Sequence, residues 1–237
     1  MQFEDFYKVR RNAERYERER FSSVGGREVD RVEQEAVFSF ISSLKASGRV
    51  MDLGCGTGRI TSELVRRGFR RVVGIDVSDA MLAEAKKHVK GAEFIRSSMF
   101  SLPELGTFDA CVSVRVIHHL RYADMKRAFI QIRRVLKDGA VFVFDTNRAF
   151  SPNAVTKLAN LSGRLSYNQF TCDKTVMKLL MDCGFSVQMV ERRFLIPSFM
   201  LNASGPLAAR AAGINRLLER RLPLLCASTF WKARAAK

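Results

Sequence analysis

In the stretch VMDLGCGTGR, residues 50–59, the carboxylate of Asp52 precedes three glycines, Gly54, Gly56 and Gly58, with Cys55 and Thr57 between them. A second carboxylate, Asp76, closes the apolar run RVVGID, 18 residues after Gly58. Glycines in such a turn let a ligand approach the backbone, and an acid ending the next strand can accept both hydroxyls of a ribose. The expected ligand therefore contains a ribose. A dinucleotide fingerprint begun at Gly54 requires a third glycine at position 59, where Arg59 stands. An acid two residues ahead of the first glycine suits a cation better than a pyrophosphate, so the ligand is expected to carry positive charge and no phosphate.

These residues need elements to hold them. From Arg49 onward, short apolar runs alternate with amphipathic stretches, the pattern of a parallel sheet covered on both faces. Strands are expected at 49–53, 71–76, 92–96, 108–113, 139–145, 184–196 and 224–234, with helices at 58–67, 79–89, 122–136 and 171–182. The last of these helices places Val176, Leu179, Leu180 and Cys183 on one face and ends at Gly184. A packing helix is expected at 28–46 and a strongly charged helical stretch over 1–20. Two segments, 147–170 and 197–222, break the alternation at the edge of the sheet where open α/β folds bind ligands. The expected fold class is α/β: a Rossmann-like, seven-stranded, mostly parallel sheet with helices on both faces, N-terminal helices and a small helical cap. One domain is expected, with residues 1–48 as a helical lid, 49–146 as a cofactor-binding half and 147–237 as an acceptor half.

Composition narrows the setting. At 237 residues and 47% hydrophobic content the chain can form one well-packed core. The start, MQFEDFYKVRR, carries acids and lacks the apolar region of a leader, and no apolar run nears the ~20 residues that cross a bilayer, so a soluble, unprocessed protein is expected. Five scattered cysteines without a C-x-x-C pair point to neither a disulfide framework nor a metal site, and a reducing cytoplasm is the expected setting. The net charge of +16 is unevenly spread: residues 1–48 are neutral, whereas residues 199–237 hold seven basic side chains and one acid, Glu219. Such a surface attracts polyanions, among them RNA, anionic headgroups or an acidic substrate. A plain solubility bias is the alternative.

Taken together, VMDLGCGTGR, VVGIDVSDAML, LPELGTFDACVSVRVIHHL and RVLKDGAVFVFD resemble the class I S-adenosylmethionine-dependent methyltransferases, in particular the group that includes ubiquinone and menaquinone biosynthesis methyltransferases. The resemblance covers residues 10 to 196 or thereabouts. It implies S-adenosylmethionine as cofactor and S-adenosylhomocysteine (SAH) as product. The backbone of Gly54, Cys55, Gly56 and Gly58 would pass beneath the methionine part, with Asp52 near its amino group. Asp76 would bind the ribose, Val77 and Met81 would pack on the adenine, and the Met99 N–H would meet a ring nitrogen. Where the family commonly has an acid for the adenine amino group, this chain has Ser98, which departs from the pattern and implies a weaker hold. Val114 and Arg115 would floor the methyl group. Tyr16, with Arg27 or Arg31, would close over the cofactor.

The acceptor chemistry is more open. Methyl transfer asks mainly for alignment and desolvation, and a base only where the acceptor loses a proton. His118 and His119 are the imidazoles beside the methyl site, with a structural hydrogen-bonding role as the alternative; Asp145 and Tyr167 are further candidates. The side chain of Arg115 either meets an acidic acceptor or is solvated. Apolar Phe150, Leu158, Leu161, Leu165, Phe170, Phe199, Met200 and Leu201, interleaved with Arg148, Lys157, Arg164 and Arg210, suit a small or lipid-like amphipathic acceptor. The run NRLLERRLPLL, 215–225, either lies on anionic lipid as a peripheral contact or is a cap helix packed by Ile214, Leu217, Leu218 and Leu222. The charge also permits RNA as substrate, although neither an RNA-binding module nor a base-flipping motif is present. A non-catalytic subunit that keeps the fold is the remaining alternative.

Overall fold

The computed structural model describes residues 20–149, 169–196, 201 and 206–237. Within them the chain runs α1 (Val24–Phe40), β1 (Arg49–Leu53), α2 (Arg59–Arg66), β2 (Arg71–Asp76), α3 (Asp79–His88), β3 (Ala92–Arg96) and β4 (Phe108–Ser113). It continues through α4 (Tyr122–Val135), β5 (Leu136–Arg148), β6 (Phe170–Thr171), α5 (Asp173–Asp182), β7 (Phe185–Arg193), α6 (Pro206–Leu218) and β8 (Ser228–Ala235). The sheet order is β3-β2-β1-β4-β5-β8-β7, with the two-residue β6 pairing beside β5 as an eighth strand. β8 runs antiparallel to both β5 and β7, and the other pairings are parallel.

The strands sort their side chains by the two-residue period of a pleated sheet. Met51, Leu53, Cys111, Phe142 and Phe144 face one layer with Phe129 and Ile132 of α4 and Leu179 and Leu180 of α5. Val50, Ala110, Val112, Val141 and Val143 face the other, with Val29, Val32 and Val37 of α1 and Ile60 and Leu64 of α2. Both faces are thus dry, which is why these strands read as continuous apolar runs.

Several boundaries differ from the sequence expectation. The first helix begins at Val24, capped by the Ser23 hydroxyl that accepts the Gly26 N–H, and stops at Phe40. Gly25 and Gly26 look unhelical in sequence, yet a β-carbon on Gly25 would strike the Leu201 carbonyl, so this turn is a crossing point of two chain segments. Leu201 itself is buried in that layer and does not face an acceptor. β5 extends over Leu136–Arg148 because β8 pairs with it from Val141 to Asn147. Conversely, residues 223–225 form a 3-10 turn, and the last strand starts only at Ser228. Of the two irregular segments, residues 150–168, 197–200 and 202–205 lie outside the described residues, and with them Phe150, Lys157, Leu158, Leu161, Arg164, Leu165, Tyr167, Phe199 and Met200.

Candidate functional site

The strand order reverses direction at β1, which lies between β2 and β4. Loops leaving the C-terminal ends of β1 and β4 diverge there and leave a crevice, the usual ligand site of an open α/β sheet. A cleft of about 1060 Å³, its open mouth included, occupies it. Asp52, Gly54, Cys55, Gly56, Thr57, Asp76, Val77, Met81, Ser98, Met99, Val114 and Arg115 all line it. Sequence reasoning passed over several other lining residues, among them Phe100, Val116 and Leu120, whose only signal is apolarity.

The glycine loop is held from beneath. The N–H groups of Gly54 and Cys55 both donate to the Ile75 carbonyl, at 2.7 and 3.0 Å. Gly56 donates to Asp76 Oδ2 at 2.8 Å, and Gly58 to the Cys55 carbonyl at 2.9 Å. Four loop amides are therefore committed within the protein, whereas a phosphate-binding turn turns its amides toward the ligand. Gly54 has φ of 73°, and a β-carbon there would come within 2.4 Å of Val116 Cγ2. Both the left-handed backbone and the close approach of the β4 loop demand glycine.

Two carboxylates face the cleft. Asp76 receives Gly56 through Oδ2 and the Ser78 N–H through Oδ1 at 2.9 Å, so it orders the loop as well as presenting acceptor oxygens. Asp52 is 2% exposed and accepts the Thr61 hydroxyl at 2.6 Å. Burial pushes its carboxyl up to about 6 and the Asp76 charge adds to this, against the Thr61 hydrogen bond and the Arg59 charge. A ligand cation would relieve that cost. Burial, with the same two acids, pushes the Cys55 thiol well above its ordinary value, so Cys55 is a small packing residue. The Ser98 hydroxyl oxygen accepts the Phe100 N–H at 3.2 Å and thereby shapes the loop after β3.

Beyond β4, Arg115 adopts φ of 63° and donates its N–H to Asp145 Oδ1 at 2.6 Å. The other Asp145 oxygen lies 2.7 Å from His118 Nδ1. Asp145 is buried at the end of β5; burial alone would raise its carboxyl, but His118 and the Arg115 N–H outweigh that and hold it below the usual carboxylate range. The two imidazoles are in contact, their centroids 4.1 Å apart, and His118 is the more buried. Neither histidine lines the cleft, although their neighbours Val116 and Leu120 do.

The Arg115 side chain neither turns to an acceptor nor lies in solvent. Its guanidinium donates to Glu33 of α1 at 2.9 Å, and Arg59, at the start of α2, reaches the same buried carboxylate at 2.5 Å and also Asp30. Glu33 thus ties α1 to both loops of the cleft. Sequence reasoning missed it, because an acid on an amphipathic helix carries no mark of burial. Of the residues expected to close over the site, Arg27 is exposed and donates to the Ser22 carbonyl, Arg31 pairs with Glu28 and Glu35, and neither lines the cleft. Tyr16 lies outside the described residues.

A sheet of this order with its cleft at the switch point has the fold of the class I S-adenosylmethionine-dependent methyltransferases. Residues 50–139 match the family described as a methyltransferase domain. The putative methyltransferase YqeM of Bacillus subtilis (strain 168) is 35% identical over 115 residues, 46% of each chain. The magnesium-protoporphyrin O-methyltransferase of Rhodobacter capsulatus is 33% identical over 106 residues, 43% of this chain and 47% of that one. The chain spans about half the length of the curated relatives it matches. In fold, it is similar to the crystal structure of magnesium protoporphyrin IX methyltransferase from Synechocystis PCC 6803 with bound SAH, with a TM-score of 0.70 at 15% identity over 98% of both chains. Residues 50–139 thus carry a methyltransferase domain.

Proposed function

We propose that this chain transfers a methyl group from S-adenosylmethionine to oxygen, nitrogen or carbon of a small or lipid-like amphipathic acceptor. The observation that carries the reading is the pairing of Asp52 and Asp76 across a loop whose amides are already committed, a site that favours a ribose and a cation over a phosphate. When bound, the cofactor supplies a methyl group already activated by its sulfonium. Asp52 neutralises the ammonium, Asp76 accepts the ribose hydroxyls, and Val77 and Met81 pack against the adenine. The Val114–Arg115 backbone, held by Asp145, fixes the floor beneath the reacting centre.

His118 lies outside the cleft lining and serves as the structural hydrogen-bonding residue that holds Asp145, and through it the Arg115 backbone, in place. The magnesium-protoporphyrin relative supports an amphipathic ring system as one acceptor class to screen. The deciding experiment is titration calorimetry with S-adenosylmethionine, SAH and NAD on the parent and Asp76→Ala. Binding of both sulfur ligands but not NAD, lost in Asp76→Ala, is the expected result and opens a screen of phenolic lipids and porphyrins. Failure of both sulfur ligands to bind would overturn the reading and favour a non-catalytic subunit.

A further inference from the structure

The end of helix α6 and the tip that follows it turn polar groups inward and apolar ones outward. Beyond Ala212, which packs in the core, Asn215 and Glu219 are buried, while Ile214, Leu217, Leu222, Leu224 and Leu225 are exposed, Leu217 by 71% and Leu224 by 68%. Of Ile214, Leu217, Leu218 and Leu222, expected in one of the two sequence readings to pack against the body, only Leu218 is partly buried and the other three are exposed. The polar face is fixed in place: Asn215 Oδ1 accepts the Ile196 N–H at 3.2 Å, and its Nδ2 donates to Glu219 at 3.0 Å. Glu219 also receives Arg193 at 2.8 Å and the Phe194 N–H at 3.3 Å. Turning the leucines inward would leave this buried set unpaired, a cost no leucine contact here recovers.

The tip that follows has its polar backbone covered from inside. Arg148, largely buried, donates to the carbonyls of Leu224 and Cys226 at 3.0 and 2.9 Å and approaches that of Pro223 at 3.4 Å. The Leu222 carbonyl accepts the Leu225 N–H at 3.0 Å, and that of Leu218 accepts Arg221 and Leu222. Arg148, expected from sequence among the basic residues that meet the acceptor, is thus a strut for the tip. Cationic side chains are interspersed with the apolar ones: Arg210, Arg216, Arg220 and Arg221 are exposed, Arg216 and Arg220 pairing with Glu28 and Glu35 of α1, while Arg210 and Arg221 make no ion pair among the described residues. The one acid in the tip, Glu219, is buried and neutralised by Arg193. Exposed leucines, satisfied carbonyls and interspersed basic side chains are the features of a segment that rests in the interface of an anionic bilayer.

The geometry points to residues 214–225 as a peripheral docking surface for anionic lipid. The tip leads into β8, whose Ser228 pairs with Asn147 at the C-terminal end of β5, so docking faces the sheet edge that holds the cleft toward the membrane. The inference does not depend on the methyltransferase reading, since lipid binding is measured without cofactor or acceptor.

The test is co-sedimentation of the full chain with phosphatidylcholine vesicles, with and without phosphatidylglycerol. The parent binds the anionic vesicles alone. Leu217→Ser/Leu224→Ser weakens binding about tenfold or more, Arg221→Gln weakens it about fivefold, and Met181→Ser, which removes an exposed apolar side chain from α5, leaves it unchanged. Unaltered circular dichroism would verify the folding of each variant. Absence of binding to phosphatidylglycerol vesicles would overturn the inference, as would binding indifferent to the leucine pair, which would reflect net charge alone. A leucine-dependent dimer in light scattering would also overturn it, by assigning the surface to a second copy.

Discussion

Asp52 bears the main electrostatic cost in the cleft. Its folded value of about 6, raised from 3.8, means that the stability it confers is fully present below the unfolded value and is lost as pH rises through 6. Asp52→Asn is therefore expected to stabilise the ligand-free protein at pH 8 by up to about 3 kcal/mol, with the gain shrinking toward pH 5 in thermal denaturation. The same charge should attract the cofactor, so calorimetric affinity for S-adenosylmethionine is expected to drop below pH 6 in the parent and to be lower and flat with pH in the variant. Gly54→Ala is expected to cost about 1–3 kcal/mol for the left-handed backbone, with a further loss from the Val116 contact that Val116→Ala partly restores. At Asp145 the sign is opposite. Its lowered value contributes stability above the unfolded value that is lost as pH falls, and Asp145→Asn should cost about 1–3 kcal/mol at pH 7 in denaturation, with the loss shrinking as pH falls.

Among the elements, α1 matters most to the cleft. Glu33 joins it to Arg59 and Arg115, all three largely withdrawn from water. Removing that carboxylate takes from Arg59 and Arg115 the buried charge they share, so Glu33→Gln is expected to destabilise the fold by about 3 kcal/mol and to weaken cofactor binding, read by denaturation and calorimetry together. The strands and helices from 49 to 135 were legible in the sequence to within a residue or two, because each carries its own period and its own stop signal. Those whose limits are set by partners were not. β5 runs past its expected end because β8 lies beside it, and α1 starts early because Gly25 serves a chain crossing.

For the whole molecule, ligand linkage gives a direct check. At a hundredfold excess over its dissociation constant, S-adenosylmethionine or SAH should add about 2.7 kcal/mol of stability and raise the midpoint of thermal unfolding by several degrees, whereas NAD should not. The sequence by itself determined which residues of the first strands line the cleft: the glycine loop, Asp52 and Asp76 come together because chain-local geometry places them at adjacent strand ends, whatever surrounds the sheet. It also determined the excess of basic charge toward the C-terminus. Only the tertiary structure decided what distant partners do to a side chain. Arg115 was turned to Glu33, Asp145 was set against His118, Arg148 became a strut, and Leu217, Leu222, Leu224 and Leu225 were left in solvent. In each case the reason is the same: a buried polar group must be paired, and the partner that satisfies it lies far away in sequence.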